Sequence, residues 1–152
     1  MSETRSPRGS GRLVLDLRAG DRMLVNGAAL QFKTRTSVML SNRARFLFGK
    51  QIMSPEDART PARRVYFAIQ AAYIAEEEER DQYVGHARLL ADEYASATTS
   101  PTARNVLAQA IADLEAGDCW EAMRRVRVLF AHDDAMLGEA ALAAPVAAQQ
   151  AG

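Results

Sequence analysis

The sequence has few of the residues that crosslinking and metal binding require. Its single cysteine, Cys119, cannot form an internal disulfide, and a lone cysteine is typical of a protein in a reducing cytoplasm. We expect Cys119 to be a small buried residue of a helix. The two histidines, His86 and His132, have no second ligand at helical spacing and no CxxC motif nearby, so we predict no metal site.

Long apolar runs are also missing. The longest run, from Val65 to Ala75, is interrupted by Gln70 and is too short to span a bilayer. Residues 1–11 are rich in Ser, Gly and Arg and have no apolar run behind them, so no signal peptide is visible. We therefore expect a cytoplasmic protein that has no membrane partner.

The motifs of common enzyme classes are absent as well. The sequence has no phosphate-binding loop and no GxGxxG motif, and it offers no nucleophile beside a base. Its densest carboxylate cluster, Glu76–Glu79, is typical of a solvated helix end rather than of an acid and base pair. We predict that the protein is not an enzyme and needs no cofactor.

Charge is distributed unevenly along this chain, although its formal net charge is zero. Residues 1–64 carry 13 Arg and Lys side chains against 5 carboxylates, which is a net charge of +8. Residues 65–152 carry 6 Arg side chains against 14 carboxylates, which is a net charge of −8. A basic half of this kind indicates a polyanion or an acidic surface as partner.

The basic half shows the two-residue period of β-strands. Leu13, Leu15 and Leu17 alternate with polar residues, which predicts a half-buried strand. Asn26-Gly27 is a strong hairpin motif and predicts a tight turn between two further strands. The whole pattern predicts five short strands, at residues 12–18, 22–25, 28–33, 36–40 and 44–48.

The acidic half shows the period of helices. Two helices are expected to begin where a capping side chain precedes a proline, at Thr60-Pro61 and at Ser100-Pro101. Asp118 followed by Glu121 is a capping box, which predicts another helix start. The predicted helices are a short one at 55–59 and longer ones from 61 to about 79, at 81–97, at 101–116 and from 119 to about 132.

These elements predict an α+β fold, in which a small antiparallel sheet or barrel of about five strands precedes a bundle of about four helices. The long helix from Pro61 is apolar on nearly all sides in its middle, so we expect it between the sheet and the other helices. The predicted organisation is a disordered basic tail (1–11), a β region (12–53), a helical region that shares a core with it (54–137) and a disordered tail (138–152).

The cations of the basic half are the candidate binding residues. Arg43 and Arg45 share one face of a predicted strand, while Phe46 and Phe48 take the opposite face. The other candidates flank predicted turns or lie at the start of the long helix. The full set of candidate RNA-binding residues is Arg18, Arg22, Lys33, Arg35, Arg43, Arg45, Arg63 and Arg64.

The same cations have a second interpretation, as ordinary surface charge that forms salt bridges with the acidic helices. Arg63 and Arg64 fall in the first turn of a helix, where the helix dipole disfavours cations. A compensating anion is therefore expected there, and Asp57, Glu56 or a nucleic-acid phosphate would serve.

Three phenylalanines of the β region, Phe32, Phe46 and Phe48, also have two interpretations. Aromatic side chains can stack on the bases of single-stranded RNA. A sheet this short has few other large residues to bury, so we expect these rings in the core instead.

The chain resembles the FlbT family, the flagellar biosynthesis repressors of alphaproteobacteria, over about residues 13–137. Each motif that carries this resemblance is short, but their order and spacing together are specific. The motifs are LVLDLRAGDR at 13–22, VNGA at 25–28, IMSPEDA at 52–58, TPARRVYF at 60–67 and the AGD turn at 116–118. The chain differs from the family pattern in its longer basic N-terminus, its Ala/Gln-rich C-terminus and the FLFGK segment at 46–50.

This resemblance implies a post-transcriptional role. Members of the family associate with the 5′ untranslated region of flagellin messenger RNA and alter its translation and decay, some as repressors and others positively. A small flagellar protein of the FlaF type commonly accompanies them. The direction of regulation and the oligomeric state stay open for this chain.

Two hypotheses of different classes follow. In the first, the basic β region binds the flagellin mRNA leader directly. In the second, the helical half is an adaptor for a FlaF-type protein or flagellin, and any effect on mRNA is indirect. Aromatic and Met side chains are enriched at interface hot spots, so the candidate anchors of the second hypothesis are Tyr83, Tyr94, Trp120 and Met123, which are also candidates for the helical core.

Overall fold

Five β-strands precede the helices in the part of the chain that the structure describes, as predicted. The structure, a computed structural model, describes residues 13–26, 28–41 and 45–143. The predicted tail at 1–11 lies outside these residues. The strands are β1 (Leu13–Leu17), β2 (Arg22–Val25), β3 (Ala28–Gln31), β4 (Thr36–Leu40) and β5 (Phe46–Phe48).

Helices make up most of the remaining described residues. Two short 3-10 helices, Gly49–Gln51 and Pro55–Asp57, lead from the strands into the bundle. The α-helices that follow are α1 (Pro61–Ile74), α2 (Glu77–Ala97), α3 (Pro101–Glu115), α4 (Cys119–Arg127) and α5 (Leu129–Ala143). The predicted α+β class is therefore confirmed.

The strands form two antiparallel sheets rather than one. Strands β1 and β4 pair with each other, with Leu15 opposite Val38, and the second sheet has the order β3-β2-β5. The inner faces of both sheets bury one apolar cluster, which contains Leu15, Leu17, Met23 and Phe46. The β region is thus a small sandwich, the usual arrangement when two sheets each have one apolar face.

The three-stranded sheet also packs on the helices. Leu47 of β5 is fully buried in the helical core, and Leu24 of the neighbouring strand packs against the same core. Because side chains alternate along a strand, Leu47 points to the helices while its neighbours Phe46 and Phe48 pack in the sandwich. Strands β2 and β5 therefore contribute to both cores, and α1 lies against the sheet, α2 and α4.

The predicted capping residues begin their helices. Thr60 Oγ1 accepts a hydrogen bond from the amide of Arg63 at 3.2 Å, and Ser100 Oγ accepts one from Ala103 at 3.1 Å. Asp118 Oδ1 accepts one from the amide of Glu121 at 3.1 Å. Each bond satisfies an amide that a helix start leaves without an intrahelical partner.

The end of α1 differs from the prediction. The helix stops at Ile74 rather than near Glu79, because Ala75 and Glu76 adopt extended backbone conformations. The three glutamates that follow lie in the first turn of α2 instead of the last turn of α1. Carboxylates are stabilised near the positive N-terminal end of a helix and destabilised near the negative C-terminal end. Because α1 ends before these glutamates and α2 begins with them, their carboxylates lie at the favourable end of a helix.

The last predicted helix is also divided. A turn at Val128 separates α4 from α5, and α5 continues to Ala143. Helical structure therefore extends six residues into the predicted tail at 138–152, and residues 144–152 lie outside the described part of the chain. Asp133 and Asp134, in the second turn of α5, both contact the start of α1.

Every amide in the first turn of α1 has a partner. Pro61 has no amide hydrogen, and the Ala62 amide donates to Asp133 Oδ2 at 2.7 Å. The amides of Arg63 and Arg64 donate to Thr60, one to its hydroxyl and one to its carbonyl oxygen. The hydroxyl of Tyr94 donates to the other oxygen of Asp133. This carboxylate, only 5% exposed, thus joins α1, α2 and α5.

Cys119 begins α4 and is buried, as predicted, with 2% of its surface exposed. Burial raises the pKa of its thiol, so little thiolate is present at neutral pH. We predict that a thiol reagent such as DTNB reacts with the native protein about a hundredfold more slowly than with protein unfolded in guanidinium chloride, because reaction requires opening of the core. Equal rates in the two states would contradict the burial of Cys119.

Candidate nucleic-acid interface

Two turns meet at one end of the β-sandwich. The β1–β2 turn (18–21) and the β3–β4 turn (32–35) are joined by two backbone hydrogen bonds, from Gly20 N to Phe32 O at 2.6 Å and from Phe32 N to Asp21 O at 2.9 Å. Gly20 has φ +89°, a left-handed conformation that favours glycine. The two turns therefore form one continuous surface.

Four of the eight candidate cations lie on or beside these turns. Leu17 and Thr36 are the last residues paired between β1 and β4 at this end. Arg18 follows Leu17 and Arg35 precedes Thr36, so these two arginines are neighbours just beyond the paired strands. Arg22 pairs with Gln31, two residues before Lys33. All four cations are exposed, and none makes an ion pair with a residue that the structure describes. We call the set Arg18, Arg22, Lys33 and Arg35 the cationic end of the sandwich.

Two carboxylates lie near the cationic end. Asp21 Oδ2 accepts a hydrogen bond from the backbone amide of Arg18 at 2.8 Å, so this carboxylate stabilises the turn. Asp16 lies on the exposed face of β1, opposite Ser37. Four cations against two carboxylates leave this end of the sandwich with a net positive charge.

Arg45 is not part of the cationic end. Arg45 precedes Phe46, and Phe46 pairs with Val25. Val25 lies at the opposite end of β2 from Arg22. The Arg45 guanidinium lies 5.4 Å from the ring centre of Tyr73 and donates to the Tyr73 carbonyl oxygen at 3.4 Å. That carbonyl belongs to the last turn of α1, where the helix dipole favours a cation, so Arg45 caps this helix.

Arg63 lies at the other end of α1, about 15 Å from Tyr73 at 1.5 Å per residue. It forms two hydrogen bonds to the Asp134 carboxylate, at 2.8 and 3.1 Å, and its guanidinium lies 4.8 Å from the ring centre of Phe130. The hydrogen bonds with Asp134 raise the pKa of Arg63 and lower the pKa of Asp134. Asp134 is therefore the compensating anion for Arg63, rather than Glu56 or Asp57.

The two remaining candidates are Arg64 and Arg43. Arg64 is exposed and donates to the backbone carbonyl of Arg59 at 3.4 Å. Arg43 lies outside the described residues, so its predicted proximity to Arg45 is untested. The seven candidates that the structure describes therefore do not form one array. Four gather at the cationic end, Arg45 and Arg63 lie at the two ends of α1, and Arg64 belongs to neither group.

The aromatic candidates are mostly core residues. Phe46 is buried in the sandwich and stacks on Phe48 with ring centres 6.2 Å apart, and Phe32 packs against the same cluster. This confirms the expectation that these rings fill the core. Of the four candidate anchors for a protein partner, Tyr94 and Met123 are buried, Trp120 packs beside Tyr73, and Tyr83 is exposed.

Three important polar residues were not identified from the sequence. Asp133 reaches the amide of Ala62, and Arg80 donates to the carbonyl oxygens of Ala72 and Ala75 at the end of α1, at 3.2 and 2.6 Å. Gln70 makes two hydrogen bonds with the backbone of Met53, at 2.8 and 3.0 Å. Only Gln70 had a visible sequence feature, since it is the one polar residue in an apolar stretch.

No set of three or more His, Cys, Asp or Glu side chains is placed to hold a metal ion within the described residues. In the same part of the chain, no helix is both long and apolar enough to cross a membrane. What the fold and its surface define is a small α+β protein with a cationic end on its β-sandwich and an acidic, largely helical second half.

The chain belongs to the FlbT family, described as flagellar protein FlbT, whose model matches residues 13–137. A probable flagellum biosynthesis repressor protein FlbT from Brucella anthropi is 30% identical over 145 residues, which cover 94% of this chain and 93% of that protein. The corresponding FlbT 2 of Bradyrhizobium diazoefficiens is 33% identical over 134 residues, covering 86% and 96%. No solved structure matches the chain.

Proposed function

We propose that this protein regulates flagellum synthesis after transcription, by binding the 5′ untranslated region of flagellin mRNA and altering its translation and stability. The relatives' names, flagellum biosynthesis repressor, support a regulatory and repressive role in flagellar synthesis. The observation that carries RNA binding is the cationic end, where two hydrogen-bonded turns bring together four exposed cations that have no ion-pair partner among the described residues.

Single-stranded RNA fits this arrangement better than a duplex does. Three of the four cations are arginines, whose planar guanidinium binds phosphate and also stacks on bases. The cations are exposed and lie on or beside two turns at one end of the sandwich, so a strand can pass over them without entering a groove. The rings of Phe32, Phe46 and Phe48 are in the core, so base stacking would come from the guanidinium groups rather than from a platform of aromatic residues.

RNA binding can be tested by replacing Arg18, Arg22, Lys33 and Arg35 with alanine together. With a flagellin leader RNA, we expect the wild-type log–log salt slope to be about −3, from four phosphate contacts at about −0.7 each. In the fourfold variant we expect the slope to approach zero and affinity at physiological salt to fall about tenfold to a hundredfold. Fluorescence anisotropy of labelled RNA across a salt series measures both quantities.

The matched control replaces four exposed arginines of the helical half with alanine, which changes the net charge by the same amount. These residues are Arg88, Arg104, Arg124 and Arg127. We expect the control to keep the wild-type slope and to bind within about threefold of wild type, since long-range charge effects are screened by salt. Equal loss of affinity in both variants, or a wild-type salt slope near zero, would refute a binding site at the cationic end.

The alternative, an adaptor for a FlaF-type protein or flagellin, stays a prediction. Three of its four proposed anchors lie in the helical core or pack against it, which weakens the original choice of residues. Tyr83 is the exception, because it is exposed and lines a groove. The adaptor would be favoured if the purified protein does not bind leader RNA but retains a purified flagellar partner in a pull-down.

A further inference from the structure

Strand β3 is an open edge of the three-stranded sheet. In the order β3-β2-β5 it pairs with β2 alone, and all four of its residues, Ala28–Gln31, are exposed. None of them is charged, and Leu30 is 45% exposed. Proteins usually protect an edge strand with charged residues, proline or a bulge, because an open edge can pair with another chain. Here none of these devices is present in the strand itself.

The outward backbone groups of β3 can be assigned from its pairing. At one end of β3, Phe32 N donates to Asp21 O, so Phe32 bonds toward β2. At the other end, Ala28 pairs with Val25 across the two-residue hairpin turn and also bonds toward β2. Residues of an antiparallel pair alternate between bonding across the pair and pointing away from it. The amide and carbonyl groups of Ala29 and Gln31 therefore point away from β2, toward the open edge.

A groove of about 530 Å³ begins at the hairpin end of this edge. Asn26 and Ala28 form one wall, and the junction between α1 and α2 forms the other, with Ile74 and Tyr83 among its apolar side chains. Its volume is in the range of ligand and peptide pockets. The groove thus offers apolar side chains at the end of β3 that adjoins Ala29, the first residue of this strand whose backbone groups face the open edge.

The charge of the groove is negative. Glu76 and Glu79 line it, and neither forms an ion pair with a residue that the structure describes. Their neighbour Glu77 is different, since it pairs with Arg80 at 3.3 Å. Arg45, whose carbonyl oxygen accepts from the Asn26 amide at the hairpin, directs its guanidinium to Tyr73 and the end of α1 instead. An occupant of matching charge would therefore be cationic.

We propose that this groove and the β3 edge bind an extended, cationic segment of a partner protein. The segment adds a strand to the sheet through the outward groups of Ala29 and Gln31, which is a common mode of peptide recognition. Its apolar side chains contact Ile74 and Tyr83, and its Lys or Arg side chains face Glu76 and Glu79. The groove lies at the hairpin end of β3, whereas Lys33 and Arg35 of the cationic end follow the other end of this strand.

The test uses the full chain and a fluorescein-labelled peptide that alternates valine with lysine. We expect Glu79→Lys to weaken binding about tenfold, because it replaces an attraction with a repulsion. The matched control is Glu78→Lys, which makes the same charge change in the same helical turn but outside the groove, and should stay within about twofold of wild type. Equal weakening by both variants would overturn the proposal.

Strand addition has its own test. Ala29→Pro removes an amide that points away from β2 and leaves the pairing of β2 with β3 intact, since proline is tolerated at such edge positions. We expect about tenfold weaker peptide binding with an unchanged melting temperature. The same peptide with alternate backbone amides methylated should also bind at least about tenfold more weakly to wild type. Unchanged affinity in both experiments would overturn strand addition.

Two other occupants are distinguished by the same variants. If wild type is a dimer by sedimentation and Ala29→Pro is a monomer, the edge is occupied by a second copy, which overturns the proposal. If Arg5→Glu with Arg8→Glu raises peptide affinity about tenfold, the chain's own N-terminal segment competes for the groove, which also overturns it. A monomer whose peptide affinity does not depend on Arg5 and Arg8 supports the proposal.

Discussion

Replacing Asp133 with alanine is expected to lower the free energy of unfolding by about 3 kcal/mol, because two buried donors lose their acceptor and each costs about 1–3 kcal/mol. These donors are the Ala62 amide and the Tyr94 hydroxyl, on α1 and α2. For a domain of this size the melting temperature should fall by about 10 °C. Urea unfolding followed by circular dichroism measures the free energy directly.

The neighbouring residue supplies the control. Asp134→Ala removes the exposed ion pair with Arg63 but leaves no buried group without a partner, so the melting temperature should change little. A double-mutant cycle of Asp133→Ala with Tyr94→Phe should show a coupling of about 1 kcal/mol or more, since the two groups are in direct contact. Similar destabilisation by Asp133→Ala and Asp134→Ala would contradict the role assigned to the buried carboxylate.

Leu47→Ala is expected to have an effect of the same size or larger, about 4 kcal/mol, because it removes a fully buried side chain and leaves a cavity. Leu47 is 0% exposed and is the residue of β5 that enters the helical core. The cavity would open between the three-stranded sheet and the helices. We therefore expect the β region and the helices to lose stability together, in a single unfolding transition.

Leu30→Ala is the matched control for this prediction. Leu30 lies in the same sheet on β3 and is 45% exposed, so its replacement should cost less than about 1 kcal/mol. Near-ultraviolet circular dichroism reports the aromatic packing of the helical core, and far-ultraviolet signal reports the helices. Separate melting of these two signals in Leu47→Ala would show that core packing and helical structure are lost in different steps, against the single transition that we expect.

Helix starts were predictable because they depend on local chemistry. Thr60, Ser100 and Asp118 each cap a helix through an amide three residues ahead, which is a relation visible in the sequence. Strands were predictable for the same reason, since Leu13, Leu15 and Leu17 show the alternation directly. The end of α1 was not, because neither Gly nor Pro marks it and only the run of glutamates at Glu76–Glu79 indicates the break.

The strand pairing and the roles of individual cations could not be predicted, because they depend on contacts between residues that are distant in the sequence. Alternation shows that one face of a strand is buried, but it does not show that β1 pairs with β4 while β2 pairs with β3 and β5. The roles of Arg45 and Arg63 depend on where α1 begins and ends relative to β5 and α5. Charge counting could locate the basic half, but only the tertiary structure separates the cationic end from Arg45 and Arg63 at the two ends of α1.

The Ala62 amide depends on a carboxylate that lies 71 positions later in the chain. On the ribosome, the first turn of α1 therefore emerges long before the residue that completes its hydrogen bonds is made. A polypeptide released early, before Asp133, would retain an unsatisfied amide and would lack the segment that covers it. The start of α1 is therefore completed only after the first turn of α5 has been synthesised.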